Sequence, residues 1–318
     1  MLIGLPAMAV SMIYSTTLRE TGDSVKPMAA GILSVITDII FNYLLIYGNF
    51  GFPQLGVRGA AVATVIARYL EMASLLLWTY LRRKKHPFLN GLWRTLRIPK
   101  ETFRKMLIKT IPILCNEFLW AAGLAALTQC YSTRGLSVVA GINISNVLCN
   151  LFNVVFVALG HSVGILVGQL LGAGRFDDAK KSSFTLTIFT ASLCAGLTVG
   201  LIALSGAFPM LYDTTEEVRT LASGFIVITA LFFPVQGTLN ALYFTLRSGG
   251  KTLITFVFDS MFSWLVTIPS ALLISNFTAL PVLAVYAIIQ SIDILKIVIG
   301  AIMIKKGIWI TNLTDASA

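Results

Sequence analysis

Long apolar runs separated by short polar links dominate this chain. Nine runs reach about the 20 residues that a helix needs to cross a bilayer. They are approximately 1–18, 27–48, 57–81, 106–132, 138–171, 183–208, 220–246, 252–275 and 281–304. Backbone that faces lipid must satisfy its own hydrogen bonds, and these runs are too long and too apolar for barrel strands. We therefore predict an all-α integral membrane protein with about nine transmembrane helices.

Composition agrees with this prediction and narrows the chemistry. The 318 residues are 56% hydrophobic and 12% charged, with a mean hydropathy of +0.83. Soluble domains carry about 25% charged residues. The four cysteines lie inside apolar runs without a C-x-x-C spacing, which argues against a disulfide framework or a zinc site. We expect no resident cofactor and no bound metal other than a transported ion.

The basic residues indicate an orientation in the membrane. The link 82–109 carries ten Lys and Arg residues. When this link is placed in the cytoplasm, the cytoplasmic links and tail hold 19 basic residues and the outer links hold three. The positive-inside rule therefore predicts a multi-pass protein of the cell membrane with a cytoplasmic C-terminus. The same rule explains the net charge of +10, because the basic residues mark the links on the cytoplasmic side of the lipid bilayer. No nucleic-acid partner is required.

Two similar segments suggest an internal repeat. LRETGDSVKP (18–27) and LRSGGKTLIT (246–255) both follow an apolar run and lie on the same predicted side. Parallel repeats in transporters keep corresponding loops on one side of the membrane. We therefore predict a partial N-lobe of three helices, a basic cytoplasmic linker, a C-lobe of six helices and a cytoplasmic tail. Their bounds are 1–81, 82–105, 106–304 and 305–318.

Glu117 is an ionisable residue near the middle of the apolar run 106–132. A charge at the centre of a bilayer costs about 2.5–3.5 kcal/mol on insertion scales, so such residues are functional candidates. No basic residue lies within one turn of Glu117 on its helix, so it must be protonated, paired from another helix or ion-bound. Trp120, one turn further along, either stacks on an organic cation or serves as packing.

Other ionisable residues in the runs have local explanations. Arg68–Glu71 and Asp293–Lys296 are each three residues apart, so each pair can neutralise itself on one helix face. Asp38 either bonds a neighbouring helix or lines a cavity. These alternatives stay open at the level of sequence.

Four helices each carry a polar stripe in an otherwise apolar wall. The stripes are Asn143, Asn146, Asn150 and Asn153; Gln236, Asn240 and Tyr243; Asp259, Ser263, Thr267 and Ser270; and Tyr286, Gln290 and Asp293. Interhelical hydrogen bonding explains a single stripe. Four stripes with a carboxylate in mid-membrane fit better with a hydrated cavity.

From these patterns we predict two groups of functional residues. Predicted ion-coupling residues are Glu117, Asp259 and Asp293. Predicted residues lining a substrate cavity are Asn146, Asn150, Asn153, Gln236, Asn240, Tyr243, Trp120 and Asp38.

Several motifs resemble the multidrug and toxic compound extrusion (MATE) family of antiporters. They include GFPQLGVRGAAVAT (51–64), VGQLLGAG (167–174) and LRSGGKT (246–252). The resemblance implies two six-helix lobes around a central cleft. On that pattern the apolar runs correspond to helices four to twelve, and the chain lacks the first three.

The resemblance also implies roles for particular residues. NorM-type members place a carboxylate for the coupling cation on the first helix of the second lobe, which matches Glu117. They use a second acid on the tenth helix, where this chain has Gln236 and Asn240 instead. Asp259 or Asp293 could substitute from neighbouring helices.

The implied activity is antiport of small organic compounds, cationic or amphipathic, against Na⁺ or H⁺ by alternating access. We expect a monomer. A lipid or polysaccharide-precursor flippase of the same superfamily and a non-transporting fragment are the alternatives. We do not expect an enzyme, because the chain has no H-E-x-x-H or G-x-S-x-G motif and no link long enough for a catalytic domain.

Overall fold

The structure is a computed structural model that describes residues 2–86, 89 and 99–310. These ranges contain helices and turns and no strand, which confirms the predicted all-α membrane fold. The main helices are α1 (Leu5–Glu20), α2 (Val25–Tyr47), α3 (Val57–Leu81), α4 (Lys100–Ser132), α5 (Leu136–Gly172), α6 (Phe176–Ser205), α7 (Glu216–Ser248), α8 (Thr252–Phe277) and α9 (Val282–Lys305).

Eight of these helices, α2–α9, are long and apolar enough to cross a membrane. The remaining one, α1, has 16 residues and follows a short 3₁₀ turn. The chain divides into two compact units, Met1–Pro99 and Lys100–Ala318. The first contains α1–α3, and the second contains α4–α9. Helix α4 begins at Lys100, inside the segment 82–105 that the sequence assigns to the linker.

Close packing of α2 and α3 defines the first unit. Gly48 ends α2 because it adopts a left-handed φ of 72°, which residues with a Cβ rarely take. Gly59 of α3 lies against the backbone of Leu45, where an added Cβ would stand 2.5 Å from the carbonyl oxygen. Arg68 and Glu71 form the ion pair that their spacing on α3 allows, at 3.0 Å.

Helix α7 is central to the second unit and packs against α5, α6 and α9. Small residues permit these helices to approach closely. Gly160 of α5 faces the side chains of Asn240 and Phe244 on α7, and Gly237 of α7 faces Cys194 of α6. Helix α4 packs against α8. This arrangement brings polar residues of α4, α7, α8 and α9 into one region.

Helix α8 contains two π-helical segments, Val257–Met261 and Ser263–Thr267. Pro269 lies two residues after the end of the second segment and has no N–H to donate. Its ring also conflicts with the carbonyl group four residues earlier, so the widened turns before it relieve a local clash. The apolar pattern of this run gave no indication of π geometry. Such segments occur frequently at functional sites, and Asp259 lies inside the first one.

Candidate functional site

Asn116 of α4 joins three helices of the second unit. Its side chain is buried, at 3% exposure. Asn116 Nδ2 donates to Asp259 Oδ2 on α8 and to the Tyr243 hydroxyl on α7, both at 3.2 Å. Asn116 Oδ1 accepts a hydrogen bond from Ser260 Oγ at 2.6 Å. Every polar atom of this buried amide therefore has a partner, as a side chain in an apolar bundle requires.

Lys296 of α9 forms an ion pair with Asp259 of α8. The Nζ–Oδ1 distance is 2.5 Å, and the two side chains are only 9% and 19% exposed. The ammonium group also lies 5.5 Å from the ring centroid of Phe258. The sequence left open whether Asp293 on the same helix neutralises Lys296, and the ion pair in the structure is with Asp259. Lys296 bonds Asp259 across the interface between α9 and α8, because the packing of these helices brings that carboxylate within reach.

Asp293 takes part in a chain of hydrogen bonds between α7 and α9. Gln236 Nε2 donates to Asp293 Oδ2 at 2.6 Å and to Gln290 Oε1 at 3.4 Å. Gln290 Nε2 donates to the Tyr286 hydroxyl at 3.3 Å, and that hydroxyl lies 3.0 Å from Thr229 Oγ1. The stripes predicted on α7 and α9 therefore face each other.

Glu117 of α4 is paired from another helix, which is one of the three alternatives that the sequence left open. Its Oε1 lies 3.5 Å from Arg247 NH1, and the two side chains are 59% and 33% exposed. Arg247 NH1 also donates to the Tyr243 hydroxyl at 3.4 Å. The guanidinium group lies 5.9 Å from the Tyr243 ring centroid and 5.8 Å from that of Phe244. Glu117 is thus half exposed and paired with a guanidinium group that lies beside two aromatic rings.

These residues form two hydrogen-bonded groups, which we call together the polar network. Its members are Asn116, Glu117, Gln236, Tyr243, Arg247, Asp259, Ser260, Gln290, Asp293 and Lys296. The part around Asp293 joins the rest through its electrostatic interactions with Lys296 and Asp259.

Charge is unevenly balanced in the polar network. Glu117 and Arg247 neutralise each other, and Lys296 pairs with Asp259, but Asp293 is bonded by the neutral amide of Gln236. With every group ionised, the network carries one uncompensated negative charge. An unpaired charge shielded from water is costly. The network is therefore suited to take up one more cation or proton.

The asparagines predicted on α5 lie apart from the polar network. Asn146 and Asn150 are exposed and Asn153 is partly exposed, on a face of α5 not packed within its unit. Asn153 Nδ2 donates to Asn150 Oδ1 at 3.2 Å. The predicted cavity-lining role of these asparagines therefore concerns a different surface from the one that carries the polar network.

Three further predicted residues also lie outside the polar network. Trp120 is 54% exposed on α4. Asn240 Oδ1 is buried beside Gly160 and has no hydrogen-bond partner among the described residues. Asp38 belongs to the first unit, where its buried Oδ1 likewise lacks a described partner.

Sequence reasoning missed three members of the network, Asn116, Arg247 and Ser260. Asn116 is a polar residue in the middle of an apolar run, but the sequence analysis assigned a role only to Glu117 beside it. Arg247 was counted as a residue of a cytoplasmic link, although it belongs to the last turn of α7. Ser260 lies one position outside the polar stripe of Asp259, Ser263, Thr267 and Ser270. A search for polar residues one position away from each acid would have found Asn116.

Comparisons with known proteins decide the family. A family model described as MatE matches residues 112–273, which include Asn116, Glu117, Gln236 and Asp259. The chain belongs to the MATE family. The resemblance inferred from the sequence motifs is thereby confirmed. MATE proteins are transporters, so the expectation that the chain is not an enzyme is confirmed as well.

Relatives of the MATE family align with most of the chain. The probable multidrug resistance protein YoeA of Bacillus subtilis is 30% identical over 285 residues, covering 89% of this chain and 61% of the relative. The probable multidrug resistance protein NorM of Thermotoga maritima is 24% identical over 318 residues, covering 97% of this chain and 66% of the relative. The chain thus spans less than two thirds of the length of either relative.

Solved transporter structures share the fold. A MOP-superfamily transporter from Pyrococcus furiosus superposes with a TM-score of 0.85 at 15% identity, covering 96% of this chain and 67% of that chain. The Vibrio cholerae MATE transporter VcmN in its bent form gives a TM-score of 0.81 at 16% identity, covering 96% and 67%. At these identities the likeness concerns the fold alone.

Proposed function

We propose that the chain acts as a cation-coupled antiporter that exports small organic compounds, with the polar network as its coupling-ion site. The relatives described as probable multidrug resistance proteins support this proposal. The observation that carries it is the uncompensated negative charge of Asp259 and Asp293 around one ammonium group. Uptake of Na⁺ or H⁺ neutralises that charge.

Ion uptake affects four helices at once because the network connects them. Asn116 belongs to α4, Gln236 to α7, Asp259 to α8 and Asp293 to α9. A ligand shifts a conformational equilibrium only by its differential affinity for the two states. A cation at the carboxylates competes with the hydrogen bonds from Gln236 and Lys296, so it favours a state in which those bonds are rearranged. This is the local event that we assign to alternating access.

The Glu117 region provides a place where an organic cation competes with the protein. Arg247 contacts both the carboxylate of Glu117 and the rings of Tyr243 and Phe244. The guanidinium group thus already occupies a position between a carboxylate and aromatic rings, which is a suitable environment for an organic cation. We propose that substrate displaces Arg247 here and that Trp120, Asn146, Asn150 and Asn153 line its path.

A flippase for anionic precursors is less well supported. It would favour a basic cavity, and the two basic residues considered for it were Arg68 and Lys296. Each is neutralised by a carboxylate, Glu71 and Asp259 respectively. This leaves the export of organic cations as the better-supported activity.

Flux measurements on the reconstituted chain test the proposal. Ethidium serves as the organic cation, and proteoliposomes receive a pH gradient or a Na⁺ gradient in separate runs. Glu117→Gln is expected to abolish ion-driven efflux while the protein stays in the membrane. Glu216→Gln, at an exposed ion pair with Arg219, is the matched control and is expected to transport normally.

The outcomes separate the alternatives. Undiminished efflux by Glu117→Gln would count against the role of this carboxylate. No efflux by the unmodified chain under either gradient would favour the non-transporting fragment. Movement of an anionic lipid-linked precursor across the bilayer, without efflux of ethidium, would favour the flippase.

The chain is a multi-pass membrane protein, and we propose that it resides in the cell membrane as a monomer with a cytoplasmic C-terminus. The basic residues of the link 82–109 support this orientation. Labelling of a cysteine introduced at Lys84, by a membrane-impermeant thiol reagent on intact cells, tests it. Labelling only after the cells are permeabilised is expected.

A further inference from the structure

We propose that Lys296 selects the coupling ion: its ammonium group occupies the position of a bound cation beside Asp259 and Asp293, so that the site accepts H⁺ and rejects Na⁺. This inference rests on the proposed function and names the ion that it uses. Neither the family nor the charge balance alone decides between the two ions. The decision comes from the groups that face the two carboxylates.

The carboxylates are surrounded by N–H donors. Asp259 receives hydrogen bonds from Asn116 Nδ2 at 3.2 Å and from Lys296 Nζ at 2.5 Å. Asp293 receives one from Gln236 Nε2 at 2.6 Å. A metal cation such as Na⁺ requires several oxygen ligands pointing inward. Here each of these three contacts presents a nitrogen donor, so a metal ion would have to displace them.

Two amide oxygens beside the carboxylates are already engaged. Asn116 Oδ1 accepts a hydrogen bond from Ser260, and Gln290 Oε1 accepts one from Gln236. Among the described residues, no group of three or more His, Cys, Asp or Glu side chains could hold a metal ion. A proton, by contrast, needs only one carboxylate oxygen and no ligand shell.

The positive charge of Lys296 repels a second cation. Its residue is 7% exposed, and water therefore screens the ammonium group poorly. It interacts electrostatically with Asp293 as well as bonding Asp259. Na⁺ at Asp293 would face this fixed positive charge, which lies three residues further along the same helix. Protonation of Asp293 removes a negative charge without adding a separate cation.

Other ionisable groups around the carboxylates come from each neighbouring helix. Helix α4 contributes Tyr131 and the carboxylate of Glu117, helix α7 contributes Tyr243 and the guanidinium group of Arg247, and helix α9 contributes Tyr286. Glu117 and Arg247 neutralise each other. The tyrosine side chains carry no positive charge, so Lys296 is the cation that acts on Asp259 and Asp293.

Sodium-dependent thermal stability tests the role of Lys296 without requiring transport. The full chain, purified in detergent, is heated in about 100 mM NaCl or in choline chloride of equal ionic strength. We expect no sodium-specific shift in Tm for the unmodified chain or for Lys296→Arg. Lys296→Met removes the charge at similar length, so it is expected to gain a sodium-specific rise of about 2–4 °C.

A second variant covers the case in which Lys296→Met does not fold. The double variant Asp259→Asn/Lys296→Met removes both charges of the ion pair. Asp293 then remains without the ammonium group of Lys296 near it. This variant is again expected to gain a sodium-specific rise in Tm. The inference is overturned if sodium stabilises the unmodified chain, or if the folded charge-removed variants remain insensitive to sodium.

The failure of this inference is distinct from the failure of the proposed function. Ethidium efflux driven by a Na⁺ gradient would support the antiporter and contradict ion selection by Lys296. Absence of all efflux would contradict antiport by this chain. The sodium effect on Tm would still report whether Lys296 excludes the metal ion.

Discussion

The ion pair between Asp259 and Lys296 makes a quantitative prediction about stability. Asp259→Asn removes the carboxylate charge but keeps the shape of the side chain. The Lys296 side chain is 9% exposed, so its ammonium group loses its bonded anion without gaining access to bulk water. Breaking a buried pair by removing one partner costs about 3–5 kcal/mol.

The presence of Asp293 sets the expected value at the lower end of that range. It lies three residues before Lys296 and interacts with it electrostatically, so it offers partial compensation. We therefore expect Asp259→Asn to cost about 3 kcal/mol. At about 2–4 °C per kcal/mol for chains of 150–250 residues, this lowers Tm by about 6–12 °C.

A double-mutant cycle measures the pair itself. Lys296→Met alone is expected to cost about 3 kcal/mol, because it leaves two carboxylates without a cation. The double variant removes both charges of the pair, so neither partner is left as a buried charge that has lost its counterion. Its cost is therefore expected to be at least about 2 kcal/mol below the sum of the single variants.

The exposed pair of Arg175 and Asp178 is the matched control, in the same unit. Its side chains are 64% and 47% exposed at a distance of 2.8 Å. Asp178→Asn is expected to cost about 0–1 kcal/mol. Additive effects at Asp259 and Lys296, with a coupling no greater than that of the control pair, would refute the assignment of a buried and energetically coupled ion pair.

The remaining stability predictions concern packing and hydrogen bonding in the same unit. Gly160→Ala places a Cβ against the side chain of Asn240 and is expected to cost about 1–3 kcal/mol, measured by thermal unfolding in detergent. Gly168→Ala, where the added Cβ meets its nearest neighbour at 3.9 Å, should change Tm little, and equal losses would contradict the contact. Asn116→Leu removes three hydrogen bonds of a buried amide and is expected to cost about 2–4 kcal/mol in the same assay. Asn146→Leu, on the exposed face of α5, is its control and should stay within about 0.5 kcal/mol.

The sequence by itself determined the fold class and the location of most helices. Apolar runs of about 20 residues have few alternatives in a bilayer, because every backbone N–H and C=O must be bonded within the segment. The spacing of Arg68 and Glu71 also determined their pairing, since residues three apart on a helix lie on the same face. Local periodicity was sufficient for these predictions.

Only the tertiary structure decided the partners of the other ionisable residues. Asp293 and Lys296 have the same spacing as Arg68 and Glu71, yet Lys296 bonds Asp259 on α8. Glu117 has no cation on its own helix and meets Arg247 of α7. Contacts of this kind join residues more than 30 positions apart, and helical periodicity carries no information about which helices become neighbours.

The face that each helix presents is a second property that only packing decided. Asn116 and Glu117 are adjacent in sequence, but the amide is buried and hydrogen-bonded while the carboxylate is half exposed. Adjacent residues on a helix point about 100° apart, so the orientation of α4 against α8 determines which one enters the polar network. The sequence showed that polar groups occur in mid-membrane, and the packing of α4, α7, α8 and α9 determined which of them meet.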